Sequence, residues 1–260
     1  MTQRSVLFRE LRAPELRALA TPSTIVLLPV ASMEQHGPHL PVGTDSMLGH
    51  AVCERAARML VRERPVVVMD TVWTGLSEHH MAFGATVTLD FDTFHKLISG
   101  ICRSLQRHGF RRIALVNAHG GNIAALHTIT DEITRDTGLP IVSLTYWQLA
   151  ADKLGAQLTT QKGIRHACEA ETSMVMALAP ELVDCNALEQ ARWPDMRDRQ
   201  DSTPDDGYHW LSFAEKTPTG VLGDPTASSA EQGEVLLDMA ASHLAERLAS
   251  PDFWGPRDKP

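Results

Sequence analysis

Short apolar runs rich in β-branched residues alternate with amphipathic segments along most of this chain. The runs "TIVLLPVA" (24–31), "VVVM" (66–69), "TVTL" (86–89), "RIALVNA" (112–118) and "PIVSLTY" (140–146) are strand-like, and those at 24–31 and 112–118 have the continuous apolar character of strands buried on both faces. Between them, "SMLGHAVCERAARMLVRE" (46–63) places apolar residues at 47, 48, 51, 52, 56, 59 and 60, the stripe of a helix. Further helices are predicted over 92–109, opening on Asp92 and stopped by Gly109, over 122–138, over 169–179 ahead of Pro180, and over 229–249. Such alternation predicts an α/β fold with a mostly parallel sheet between helices. No internal repeat or linker divides the 260 residues, so one domain over 1–260 is expected. A Pro-, Gly- and Asp-rich loop at about 184–226 has the length of a lid or interface arm.

In open α/β sheets ligands collect at the carboxyl ends of the strands. Three loaded stretches are expected at such ends. The first, "VASMEQHGPHLPVGTD" (30–45), carries Glu34 and His36 two residues apart, on one side of an extended chain. Ionisable groups facing one way at the end of a buried strand need a partner, and a metal ion answers that need. Asp45 reads either as the cap of the 46–63 helix or as a further ligand, and His39 as a neighbour of the site. The second, "VNAHGGN" (116–122), puts His119 on a strand-to-helix turn. Gly120, Gly121 and Asn122 follow it, and their backbone amides are suited to a substrate carboxylate or a developing oxyanion. The third, "RHACEAETS" (165–173), holds His166, Glu169 and Glu171 at the start of a helix. There His166 and Glu169 share a face, while Glu171 points elsewhere. In a fourth stretch, "TGLSEHH", Ser77, Glu78, His79 and His80 either line the site or lie on the surface.

Glu34, His36, Asp45, His119 and Glu169 make two imidazoles and three carboxylates, donors suited to Zn²⁺, Mn²⁺ or Fe²⁺. That set is rich for one ion and suits two ions bridged by a carboxylate. No Cys joins it, which argues against a closed structural zinc. The composition excludes other classes. A net charge of -8 without a basic run argues against a nucleic-acid partner. No apolar run approaches the ~20 residues of a membrane span, and the N-terminus mixes Arg with Glu, unlike a signal peptide. Cys53, Cys102, Cys168 and Cys185 form neither a CxxC pair nor a disulfide framework, so a reducing, cytoplasmic setting is expected.

Taken in order, "MEQHGPHLPVGTD", "GLSEHH", "NAHGGN", "HACEAETS" and "GVLGDPT" resemble the motifs of the creatininase family, the creatinine amidohydrolases, from about residue 24 to about 245. The resemblance implies a three-layer α/β/α fold and two divalent metal ions per subunit. It also implies hydrolysis of amide-type C–N bonds, often in small cyclic compounds, and a homo-oligomer, commonly a hexamer. By motif it puts Glu34, His36, Asp45 and His119 on metal-ligand positions, with Asp45 as the bridge. It puts His166 on a catalytic histidine that would donate a proton to the leaving group, and Glu171 on the Glu of the family's "ETS", where it would orient or tune His166. Two departures point away from creatininase proper. Its members look like "HYEN" where this chain has "HGGN", so Gly121 stands in place of a ligand carboxylate and Glu169 is the candidate replacement. They also carry a Trp shortly before the catalytic His, where this chain has "TTQKGIRHA". The expected function is hydrolysis of a small cyclic amide or related ring by a hydroxide held between two ions, with Ser77, Gly120, Gly121 and Asn122 on the substrate. One alternative is a metallopeptidase trimming a short peptide in a cofactor pathway, anchored by Lys162 or Arg165. A second is a non-catalytic metal-binding scaffold.

Overall fold

The computed structural model describes residues 5–193 and 208–255 of the chain. Its four strands are β1 (Ile25–Val30), β2 (Val66–Val68), β3 (Arg112–Asn117) and β4 (Ile141–Thr145), all parallel, in the order β2-β1-β3-β4. The described helices are α1 (Ala13–Leu19), α2 (Thr44–Leu60), α3 (Phe91–Arg107), α4 (Ile123–Thr137), α5 (Ala151–Gly155), α6 (Glu169–Leu178), α7 (Leu188–Ala191), α8 (Phe213–Lys216) and α9 (Ala230–Ala249). None of them is long and apolar enough to cross a membrane.

Alternation along each strand builds the layers. Ile25, Leu27, Val66, Val68, Ala114, Val116 and Leu144 point to one face, where Leu48, Val52 and Ala56 of α2, Met174 of α6 and Leu236, Ala240 and Leu244 of α9 cover them. Val26, Leu28, Val30, Val67, Ile113, Leu115 and Ile141 point to the other, under Phe94 and Ile98 of α3 and Leu126 and Ile129 of α4. Both faces are dry, so the strands read as continuous apolar runs, and the three-layer α/β/α fold follows.

The segment 86–89 does not join the sheet. It makes only isolated bridges, Met33 with Val87 and Gly75 with Thr88. Val87 is 43% exposed, so this stretch lacks the two buried faces that a strand of this sheet needs. At α3 the cap is Asp90 rather than Asp92: its side chain accepts the Thr93 N–H at 2.9 Å, and Gly109 follows the helix end at φ +99°. Of the expected 184–226 loop, the described part contains α7, α8 and a turn in which Asp224 Oδ1 accepts the Thr226 N–H at 2.9 Å; residues 194–207 lie outside the described residues.

The order β2-β1-β3-β4 makes β1–β3 a switch point, since the chain leaves β1 to one side and returns to the other. Val30 and Asn117, the last residues of these strands, are register partners. The segments carrying Glu34 and His119 therefore start side by side.

Behind the site α6 and α9 cross closely. A Cβ on Gly233 would overlap the carbonyl oxygen of Ser173. Gly233→Ala is expected to cost about 1–3 kcal/mol, read as a lower denaturant midpoint in equilibrium unfolding. An unchanged midpoint would show that the two helices separate freely.

Candidate metal centre and cavity

Glu34, His36, Asp45, His119, His166 and Glu171 converge beyond the carboxyl ends of β1 and β3. Glu34, Asp45 and His119 offer ligand atoms within 4.8 Å of one another, as do His36, Asp45 and Glu171, so two three-residue groups share Asp45. Glu34, His36 and His166 form a third such group. Asp45 lies in the first turn of α2, whose cap position is Gly43, so it is not the helix cap. Its carboxylate turns instead to His36 Nε2 (3.1 Å, Oδ1) and His119 Nδ1 (3.2 Å, Oδ2).

Backbone carbonyls set the imidazoles. His36 Nδ1 lies 3.1 Å from the carbonyl of Glu34, and His119 Nε2 lies 3.1 Å from that of Leu76. A carbonyl only accepts, so these nitrogens carry protons, which leaves His36 Nε2 and His119 Nδ1 to face the carboxylates, as N–H donors when the rings are protonated and as lone pairs for a metal ion when they are not. This is how metal-bound histidines are held.

The cluster fits divalent cations. Glu34, Asp45 and Glu171 are buried together, and among the described residues their ion-pair partners are histidines, with no Lys or Arg. Asp45 Oδ2 is buried and accepts no aligned hydrogen bond. Burial works against charge on His36, yet Asp45, Glu171 and Glu34 overcome it and hold the imidazole up at about 9. His119 is likewise raised, by Glu34 and Asp45 against burial. Burial pushes Glu171 up to about 7, with His36 opposing and Asp45 adding to the rise. Protons and metal ions compete for these lone pairs, so the site calls for positive charge in either form.

Glu169 is not brought to this cluster. Both its oxygens are taken: it accepts from the backbone and hydroxyl groups of Thr159 and Thr160 at 2.6–3.1 Å and from Gln232 Nε2 at 2.7 Å. In the first turn of α6 the two glutamates point apart, Glu169 to a structural clamp and Glu171 to the metal-capable group. The sequence alone cannot say which of them faces inward. Glu171 Oε2 accepts the Ala167 N–H at 2.5 Å and lies 3.8 Å from His36 Nε2; among the described residues it makes no hydrogen bond to His166. Gly121 shows why a carboxylate cannot stand two residues after His119: a Cβ there would collide with Leu76 O and His119 Nε2.

Ser77 and Asn122 prop the site rather than face a substrate. The Ser77 hydroxyl donates to Glu34 Oε2 at 2.9 Å and touches Ser32. Asn122 accepts from Leu76 N at 3.0 Å and donates to Ala31 O at 3.1 Å. Gly120 and Gly121 do line the cavity. His39 is bound by Thr172 through Nε2 at 2.8 Å and stands outside the metal-capable groups.

A cavity of about 610 Å³ opens over the cluster. His166 borders it, with Nε2 2.8 Å from the Gln35 carbonyl and Nδ1 3.5 Å from Glu34 Oε1. Burial, then the charges of His36 and His80, keep His166 well below its usual value. His80, which the sequence left undecided, is buried 3.3 Å from Glu34 Oε1. Phe213 of α8 covers these rings, its centroid 3.9 Å from that of His80 and 4.9 Å from that of His166. Gln35 links them to the "GVLGDPT" stretch, donating to Gly220 O at 3.0 Å. Trp147, Trp210 and Phe213 supply aromatic wall where the "TTQKGIRHA" stretch has no Trp. Phe213 and Gln35 were not legible as site residues, because no local pattern marks a distant side chain that closes a pocket.

A carboxylate–imidazole cluster at the switch point of a parallel sheet, on the floor of a cavity, is the kind of site that metal-dependent α/β hydrolases carry. The family model described as "Creatinine amidohydrolase" matches residues 9–248, and the chain belongs to the creatininase family. It is 29% identical to creatinine amidohydrolase of Pseudomonas putida, over 94% of this chain and 96% of that protein. It is 30% identical to the mycofactocin precursor peptide peptidase of Mycobacterium ulcerans (strain Agy99), over 93% and 96%. The solved structure "Creatininase Mn" superposes with a TM-score of 0.78 at 29% identity, covering 94% of this chain and 97% of that one.

The two glutamates of α6 separate in experiment. Glu171→Gln is expected to weaken Mn²⁺ or Zn²⁺ binding roughly tenfold or more, measured by equilibrium dialysis. Glu169→Gln should keep the metal and instead lose about 1–3 kcal/mol of stability. The reverse pattern would exchange their roles.

Proposed function

We propose that this protein is a metal-dependent amidohydrolase that cleaves an amide- or lactam-type C–N bond in a small, cyclic compound. The reading rests on one observation: two metal-capable groups joined through Asp45 at the floor of the cavity. It takes Glu34, Asp45 and His119 as the ligands of one divalent ion and His36, Asp45 and Glu171 as those of a second, the ions being Zn²⁺, Mn²⁺ or Fe²⁺. Such ions supply water activation near neutral pH and charge stabilisation at a carbonyl.

The protein's own groups account for the rest. Gly120 and Gly121 line the cavity beside His119, and their amides are free of the recorded backbone bonds, so they are placed to receive a developing oxyanion. His166 stays neutral and keeps Nε2 on the Gln35 carbonyl, which leaves Nδ1 facing Glu34 and the floor. That nitrogen takes up a proton as the water attacks and passes it to the departing nitrogen. Phe213 shuts bulk water away from the same ring.

A second reading, trimming of a short peptide, is favoured by the 610 Å³ cavity, which exceeds the needs of one small ring, and by the peptidase among the relatives. In either case the catalytic unit is taken to span the chain, in a homo-oligomer.

The test starts with the purified, metal-loaded protein and a panel of lactams, formamides, cyclic ureas and tripeptides. Chelation should abolish turnover and added Mn²⁺ or Zn²⁺ restore it. Turnover that survives complete metal removal would refute the reading. His166→Ala should lower kcat by ~10²–10⁴ while bound metal is retained.

A further inference from the structure

The cavity floor is acidic, but two cations that the hydrolytic chemistry does not use also line the cavity: Arg165 and Lys216. Arg165 immediately precedes His166 in the chain. Lys216 ends α8, its Nζ 5.7 Å from the Phe213 ring that packs on His166 and His80.

Neither cation has a carboxylate within ion-pair distance among the described residues, although the chain is acid-rich, with 32 Asp and Glu against 24 Lys and Arg. Other arginines do find partners: Arg55 pairs with Glu234 and Asp238, Arg192 with Asp224 and Arg9 with Asp70, each at 2.7 Å. Glu78, also on the cavity lining, is exposed and has no recorded bond to either cation. Lys162 is exposed and off the lining. Arg165 and Lys216 are both half-buried. A half-buried cation facing a cavity without a carboxylate partner is free to make a charge-assisted hydrogen bond with an anion that arrives with the ligand.

The geometry points to an anion subsite: Arg165 and Lys216 receive a carboxylate carried by the substrate, whose class is an amide or short peptide with a free carboxylate near the bond to be cut. Arg165 offers the planar fork that pairs with both carboxylate oxygens, and Lys216 a point charge on the lining of the same cavity. This rests on the hydrolase reading for the identity of the site, but its test does not need turnover.

The experiment is calorimetric titration of the metal-loaded protein with matched probes: N-acetyl-leucine against N-acetyl-leucinamide, and pyroglutamate against pyroglutamamide. Within at least one pair the acid should bind about tenfold tighter or more. That advantage should fall to near parity in the R165Q/K216Q double variant and return in good part in R165K. The same preference should persist after chelation. An advantage that survives in R165Q/K216Q, or vanishes when the metal is removed, would place the carboxylate on the ions and overturn the proposal. Equal binding of acid and amide, or no binding of any probe, overturns it as well. Charge preference that stands while no amide in the wider panel is hydrolysed would refute the hydrolase reading alone.

Discussion

Three carboxylates buried in one cluster repel one another and cannot remain there without compensating charge. Glu34, Asp45 and Glu171 are in that position, and among the described residues their ion-pair partners are imidazoles rather than Lys or Arg. Much of the surrounding structure answers this constraint. Carbonyls of Glu34 and Leu76 fix the protons of His36 and His119 on the outward nitrogens. The Ser77 hydroxyl and the Ala167 N–H steady Glu34 and Glu171. Ala167 does so at φ +54°, a left-handed conformation that costs a non-glycine residue about 1–2 kcal/mol.

The sheet decides where the charges meet. Because β1 and β3 are neighbours and end in register, segments more than eighty positions apart in the chain leave the sheet together. Glu34 and His36 come from one, His119 from the other, and the first turn of α2 brings Asp45 back between them. Glu171 arrives from α6, which is packed against α2 and α9 by the apolar residues that follow it. The acidic groups are thus held by the same dry interfaces that stabilise the fold, so cluster geometry and core packing are not independent.

Gly121 stands where backbone and the His119 ring leave no room for a side chain, and Glu171 of α6 lies with His36 and Asp45 in one metal-capable group. Phe213, Trp147 and Trp210 enclose the cavity from segments outside the "TTQKGIRHA" stretch, and Arg165 and Lys216 give it cationic character. The wall bounds what the cavity accepts, while His36, Asp45 and His119 belong to its metal-capable floor.

The alternation of apolar runs and helical stripes was enough to determine an α/β fold with a parallel sheet, because burial on both faces leaves a continuous β-branched signature. Local spacing also determined that Glu34 and His36 share a site and that His119 sits on a turn beside it. Three things needed tertiary structure. The run 86–89 has strand-like residues but no second buried face, and only its placement showed that it stays outside the sheet. Asp45 as cap or ligand turned on one residue of helix start, which propensity does not resolve. Glu169 and Glu171 are chemically identical and two positions apart; which one is clamped by Thr159, Thr160 and Gln232 and which faces His36 depends on how α6 is rotated against its neighbours, and that rotation is a property of packing.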